Sequence, residues 1–285
     1  MNNQLHRSAI IIFVCVFPWT QGSWIFSLLG QGNPPQNPFA AGVRNTEPLS
    51  PAQERQAFEL PPGFEIELVA SEPDISKPMN MAFDAKGQLW VTDTLEYPFP
   101  APSNQKGRDS IKVFSDTDKD GAYDKITTFA DGLNIPIGLY PYKNGVLVWS
   151  IPNLWWYEDT DGDGMADRRE KRYGPLGWER DTHGMNASFT RGFDGWLYAT
   201  HGFNNDTTIT GTDGSRVVMN SGNTYRVRLD GSRVEQHTFG QVNPFGMCLD
   251  PLGNFYTADC HSAPVYQLLR GGYYPSFGKP HAGLG

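Results

Sequence analysis

Residues 78–93 read PMNMAFDAKGQLWVTD: an apolar segment, a turn at Lys86-Gly87, and a second apolar segment. The pattern returns three times. Residues 135–150 turn at Asn144-Gly145, residues 183–200 at Asp194-Gly195, and residues 243–258 at Leu252-Gly253. Apolar runs of this length, broken by glycine turns, mark β-hairpins. The turn glycines Gly87, Gly145, Gly195 and Gly253 are spaced by 58, 50 and 58 residues. Weaker amphipathic segments fill the intervals in pairs: 110–114 with 125–129, 155–158 with 168–173, and 224–229 with 233–239. Four strands per unit at this period predict an all-β chain folded as a β-propeller, with about four blades present.

Composition agrees. The 285 residues include 31 Gly and 22 Pro, as many short strands joined by tight turns require. A net charge of −8 with no basic run excludes a nucleic-acid partner. There is no Gly-x-Gly-x-x-Gly after a strand for a nicotinamide cofactor, no Gly-x-Ser-x-Gly nucleophile, and no Cys-x-x-Cys-His for haem attachment in this stretch.

The chain divides into three segments. His6 and Arg7 precede the apolar run Ala9–Trp19, and apolar residues resume at Trp24–Leu29, so residues 1–30 read as a signal peptide or a retained membrane anchor. Either reading gives an exported body, periplasmic or membrane-associated, that meets the membrane only through this segment. Residues 31–62 form a Pro-rich linker with one short helix around Pro51–Phe58, and residues 63–285 form the propeller. Cys15 falls in the export segment. A turn at Asp250–Gly253 sets Cys248 opposite about residue 255, so Cys248 and Cys260 do not face each other and are expected to be buried free thiols.

Two acidic segments, DTDKDGAYDKIT at 116–127 and DTDGDGMADRRE at 159–170, repeat one pattern 43 residues apart. Each joins the third strand of a blade to the fourth. Carboxylates at loop positions 1, 3, 5 and 9, with Gly at 6 for the bend, suit a hard cation such as Ca²⁺. The candidate ligands are Asp159, Asp161, Asp163 and Asp167, with Glu170 at position 12, and in the first loop Asp116, Asp118, Asp120 and Asp124. Glu170 makes the second loop the better site. The alternative is a solvated acidic turn.

Propeller loops alternate between two faces. The acidic loops share one face with the hairpin turns. The other face, around the central channel, collects polar residues: His183, His201, Asn186, Asn204, Asn205, Asn243, Asp259 and His261. Such a cluster is the default binding site, with Asn186, Asn204, Asn205, Asn243, Asp259 and His261 as substrate or cofactor contacts. His183 is the sharpest candidate for a general base, with His201 facing it across the strand pair. Capping of strand ends by the same side chains is the competing reading.

Several motifs together resemble a known family: Leu60-Pro-Pro-Gly-Phe64, Met81–Val91, the two acidic loops, His183-Gly-Met-Asn-Ala187, and residues 261–275. They resemble the N-terminal propeller of large exported planctomycete proteins known as membrane-bound dehydrogenases or haem-binding proteins. That propeller is similar to the soluble quinoprotein glucose/sorbosone dehydrogenases, usually six-bladed. The resemblance covers about residues 50–285. It implies oxidation of a sugar or alcohol, a pyrroloquinoline quinone or similar acceptor, and a haem-bearing cytochrome c domain or electron-transfer partner beyond this stretch. His183 matches the family's base histidine and Gly195 its turn, whereas Asn186 stands where the family has a second glycine. A non-catalytic propeller that binds a glycan or a protein, with structural calcium loops, is the alternative.

Overall fold

The computed structural model describes residues 47–260 and 265–275. The export segment, residues 31–46 of the linker, and His261 lie outside the described residues. No described helix is long and apolar enough to cross a membrane. The described helix is α1 (Pro51–Ala57), opened by a capping box in which the Ser50 hydroxyl accepts from the Gln53 amide and the Gln53 side chain accepts from the Ser50 amide.

Four blades built on antiparallel strands follow, and in blades 1, 2 and 4 each strand pairs with the next in sequence. Blade 1 is β1 (Lys77–Phe83), β2 (Leu89–Thr94), β3 (Asp109–Ser115) and β4 (Lys125–Leu133). Blade 2 is β5 (Leu139–Tyr142), β6 (Gly145–Ser150), β7 (Asn153–Glu158) and β8 (Arg168–Tyr173). Blade 3 contains β9 (Asn186–Arg191) and β10 (Leu197–His201), then a separate hairpin of β11 (Asp206–Thr210) and β12 (Arg216–Asn220), then β13 (Asn223–Val227) and β14 (Val234–Gly240). Blade 4 is β15 (Asn243–Leu249), β16 (Phe255–Cys260) and β17 (Tyr266–Leu268), after which β18 (Tyr273–Tyr274) returns to pair in parallel with β14. The β-propeller arrangement of four blades is as the sequence predicts. The β11–β12 hairpin is an addition that the four-strand pattern does not include. Its Ile209, Val217 and Met219 alternate inward and join the core, which explains why it folds.

The second strands show why the blades stack. All six residues of β6 are buried. With side chains alternating across the strand, Val146 and Val148 pack on blade 1 beside Trp90, Ile111 and Val113, while Leu147 and Trp149 pack on blade 3 beside Ala187 and Tyr225. In β10, Leu197 and Ala199 face blade 2, and Tyr198 meets Phe255 of blade 4 at a ring distance of 4.0 Å. His237 of β14 closes the same seam, edge-on to both rings.

The inner strands are joined by a recurring bond. The Asn80 Oδ1 accepts from the Gly138 amide at 2.6 Å, and the Ser188 Oγ accepts from the Gly246 amide at 2.7 Å, each pair 58 residues apart. Blades 2 and 3 instead meet where Gly138, at φ 84°, leaves only 3.1 Å between the place of a Cβ and the Ala187 Cα.

One expectation needs correction. Cys248 and Cys260 are free, as predicted, but exposed. Cys248 pairs with Tyr256, and in β16 the buried residues Phe255, Thr257 and Asp259 alternate with Tyr256, Ala258 and Cys260. Blade 3 covers only the first set among the described residues. Gly138→Ala should lower stability by about 1–3 kcal/mol, from a left-handed backbone and a blocked contact together. A urea midpoint equal to that of the parent protein would contradict this packing.

Candidate functional site at the loop end of the propeller

Two ends are distinct. On one, the acidic loops lie against hairpin turns: the Asn144 side chain donates to the Asp159 carbonyl at 2.7 Å, and the Tyr123 hydroxyl to the Gly87 carbonyl at 3.3 Å. On the other, the loop before β9 reaches the loop after β2, where the Thr182 hydroxyl donates to the Pro98 carbonyl at 2.8 Å.

His183 sits in this second set of loops. Its side chain is 64% exposed, and its Nδ1 lies 3.1 Å from the Asp181 Oδ1, which also accepts the His183 amide at 2.8 Å. A carboxylate can only accept, so the Nδ1 carries the proton of this bond and the Nε2 lone pair is left to solvent. The Tyr97 ring stands edge-on to the imidazole at 5.3 Å. Burial pushes the Tyr97 phenol above its ordinary pKa and the Asp181 charge adds to the effect, keeping the phenol neutral. Asn205, itself buried, fixes the loop from below. Its Oδ1 accepts from the Arg180 and Asp181 amides, and its Nδ2 donates to the Asp181 and Gly184 carbonyls. Asn205 is therefore a positioning residue rather than a ligand contact. Gly184 passes so close to Phe203 that a Cβ there would lie 2.3 Å from its amide nitrogen.

The other predicted residues are placed differently. His201 is fully buried, its Nδ1 2.7 Å from the Ser221 carbonyl and its Nε2 2.8 Å from the Thr207 hydroxyl. Both nitrogens are committed, so the base role across from His183 is withdrawn. Its position in β10 matches Asp93 in β2 and Asp259 in β16, which likewise tie chain together: Asp93 accepts from the Ser76 amide and hydroxyl, Asp259 from the Val242 and Asn243 amides. Asp259 is thus a cap on the start of β15. Asn186 is buried, its Oδ1 accepting from the Tyr225 hydroxyl. Asn243 accepts from the Phe203 amide, and Asn204 occupies a left-handed turn position at φ 69°. Asp181, the hydrogen-bond partner of His183, was not predicted as a site residue. The spacing Asp181-x-His183 is the signal that could have found Asp181.

The acidic loops form two nearly equal clusters. One oxygen each from Asp116, Asp118 and Asp120 lie within 4.8 Å of one another, as do those from Asp159, Asp161 and Asp163. Partial desolvation works to raise the Asp159 pKa, but the Gly162 and Gly164 amides it accepts outweigh this and hold it below the ordinary value. Asp124 and Asp167 stand outside the clusters, each accepting from the amide and hydroxyl of a loop threonine, Thr117 and Thr160. Glu170 corrects the expectation for position 12. It lies on β8 and accepts from Arg168 and Arg172, because strand pairing turns it toward those guanidiniums. The preference for the second loop disappears with it.

The fold and these loops define a propeller with an aspartate-held histidine at one end and paired acidic hairpins at the other. The chain belongs to the family described as "Domain of unknown function (DUF7133)", which matches residues 50–282. No curated protein matches the sequence. Among solved structures, the PQQ domain of a pyranose dehydrogenase from Coprinopsis cinerea aligns with a TM-score of 0.49 at 13% identity, covering 70% of this chain and 47% of that one. A gluconolactonase from Xanthomonas campestris gives 0.45 at 17% identity, covering 70% and 59%. The calcium-binding regucalcin from Agrobacterium tumefaciens gives 0.39 at 10% identity, covering 70% and 63%. The chain spans about half to two thirds of the length of these structures.

The buried histidines make stability depend on pH. Burial lowers His201 and His237 from 6.5 to about 4. Below about pH 6.5 the unfolded chain takes up protons that both native rings refuse, so stability falls as the pH drops toward 4. The loss is roughly 3 kcal/mol at most for each ring. Urea unfolding at pH 7 and pH 5 should show the decline, and His201→Gln should remove about half of it, the His237 share remaining. Equal stability at both pH values would contradict the buried, neutral rings.

Proposed function

We propose that this propeller forms the substrate side of a dehydrogenase that oxidises a sugar or alcohol, with His183 as general base. The observation that carries the reading is the Asp181–His183 pair, which leaves the Nε2 lone pair at an open, loop-built surface. The motif likeness to quinoprotein sugar dehydrogenases supports it. In the oxidation, the Nε2 takes the hydroxyl proton while the carbon-bound hydrogen leaves as hydride to an electron acceptor. Asp181 holds the ring in the required tautomer and stabilises the imidazolium that forms. Tyr97 walls one side of the ring.

Pyrroloquinoline quinone carries three carboxylates and needs cations to hold it. The cations of these loops are already engaged: Arg108 with Glu96, Arg180 with Asp206, and the Lys77 ammonium with the Leu95 and Tyr97 carbonyls. The residues around His183 therefore do not fit that quinone. The hydride acceptor in this reading is a two-electron carrier of the quinone or flavin class supplied by a separate partner, which then passes its electrons on one at a time. A haem-bearing domain or electron-transfer protein, and an exported setting consistent with residues 1–30, belong to the same proposal.

The paired cations favour a second reading, a propeller that binds a neutral glycan, or a protein partner, without chemistry. Dye-linked oxidation across a panel of sugars and alcohols separates the two. Activity should fall by about 10²–10⁴ in His183→Ala and by less in Asp181→Asn, with KM little changed. Binding without turnover under any added quinone or dye would favour the second reading and overturn the first.

The acidic loops are read as structural Ca²⁺ sites, Asp116, Asp118 and Asp120 holding one ion and Asp159, Asp161 and Asp163 the other. Hard carboxylate oxygens in a glycine-bent loop fit that cation. A chelator should lower the Tm by several degrees, and Asp161→Asn should shrink that shift. A Tm indifferent to chelation would leave the loops as solvated turns.

A further inference from the structure

The hairpin-turn end carries a second recess, far in character from the acidic loops beside it. It lies between blades 2 and 3 and measures ≈ 480 Å³, room for one sugar ring with a substituent. Although the chain is acidic overall, five cations line this recess against two carboxylates, Glu158 and Asp230. Those two are occupied: Glu158 by Arg168 and the Asn144 amide group, Asp230 by the Ser232 amide. Asp230 is held below its ordinary pKa, first by the Ser232 hydroxyl and then by the Ser232 amide.

Arg172 is paired with Glu170 at 2.7 Å, which leaves Lys143, Arg191 and Arg228 short of anions. Arg191 has no carboxylate partner among the described residues, and Lys143 stands over the Tyr142 ring at 5.3 Å. Arg228 stacks on Trp196 at 3.9 Å and gives one N–H to the Gly195 carbonyl, so the rest of its planar fork stays free. The Arg172 Nε is shielded from solvent and has no hydrogen-bond partner. The aromatic side chains of Tyr142 and Trp156 complete the lining.

We infer that this recess binds a sugar carrying an oxyanion, a carboxylate or sulfate, at a site separate from His183. Arginine forks suit such groups through paired N–H bonds, and the aromatic rings suit the apolar face of a pyranose. The assignment is independent of the oxidation proposed above and does not need the protein to be an enzyme.

The test is a calorimetric titration of the full chain with glucuronate, glucose 6-sulfate, glucose and inorganic sulfate. At least one acidic sugar should bind, with affinity falling as salt rises, and glucose should not. Arg191→Gln, which removes no hydrogen bond of the fold, should weaken binding about tenfold with an unchanged Tm. Lys143→Asn, tolerant of the left-handed backbone there, should also weaken it. Absence of binding by both acidic sugars, equal affinity for glucose, or an Arg191→Gln variant that binds like the parent would overturn the oxyanion assignment. Inorganic sulfate binding as tightly as the sugars would overturn the carbohydrate part.

Discussion

Everything in this molecule depends on how closely neighbouring blades approach at their inner strands. At one shared strand position the four blades carry Asn80, Gly138, Ser188 and Gly246. Polar side chain and glycine alternate, so each polar residue reaches a glycine amide in the adjoining strand. A side chain at Gly138 would meet the Ala187 backbone and hold those strands apart, whereas at Gly246 the constraint is the left-handed backbone at φ 93°. The bulge in β1 between Pro78 and Asn80, and that in β15 between Pro244 and Met247, sit at this same position. They turn the chain so that the polar side chain or the glycine amide points to its neighbour rather than along its own sheet.

With the blades set at this spacing, period-two alternation in β6 and β10 sends successive side chains to opposite neighbours. The same alternation fixes what each strand end can do. At one position near the end of the second strand, Asp93, His201 and Asp259 all serve to bind chain segments together. His201 is in effect a neutral variant of a structural aspartate. Its burial and its two bonds follow from that place. His183 lies outside the strand, where Asp181 and Asn205 hold a loop that no blade covers.

The strand order was legible because both faces of the second strands are buried, which writes uninterrupted runs such as Val146–Trp149 into the sequence. The acidic hairpins were legible for a local reason: their bends need Gly121 and Gly164 at φ 97° and 90°. The β11–β12 hairpin was not, since its half-exposed strands alternate Thr with Ile and Val and resemble loop. Site assignment was harder still. Sequence position placed His183 and His201 at the same end, but only packing distinguishes a ring in a loop from a ring inside the sheet. Glu170 failed for a related reason, because loop spacing cannot show which way β8 turns its side chains. The basic recess is assembled from three separate turns, and no short stretch of sequence announces it.

The account rests on one histidine being chemically available while its neighbour in the same blade is not. Nitrogen-15 NMR of the imidazole side chains reads this directly. The account predicts that the neutral His183 ring carries its proton on Nδ1 and leaves Nε2 bare, and that His201 shows no titration between pH 8 and pH 5. A His183 ring carrying its proton on Nε2, or a His201 that titrates in this range, would contradict it.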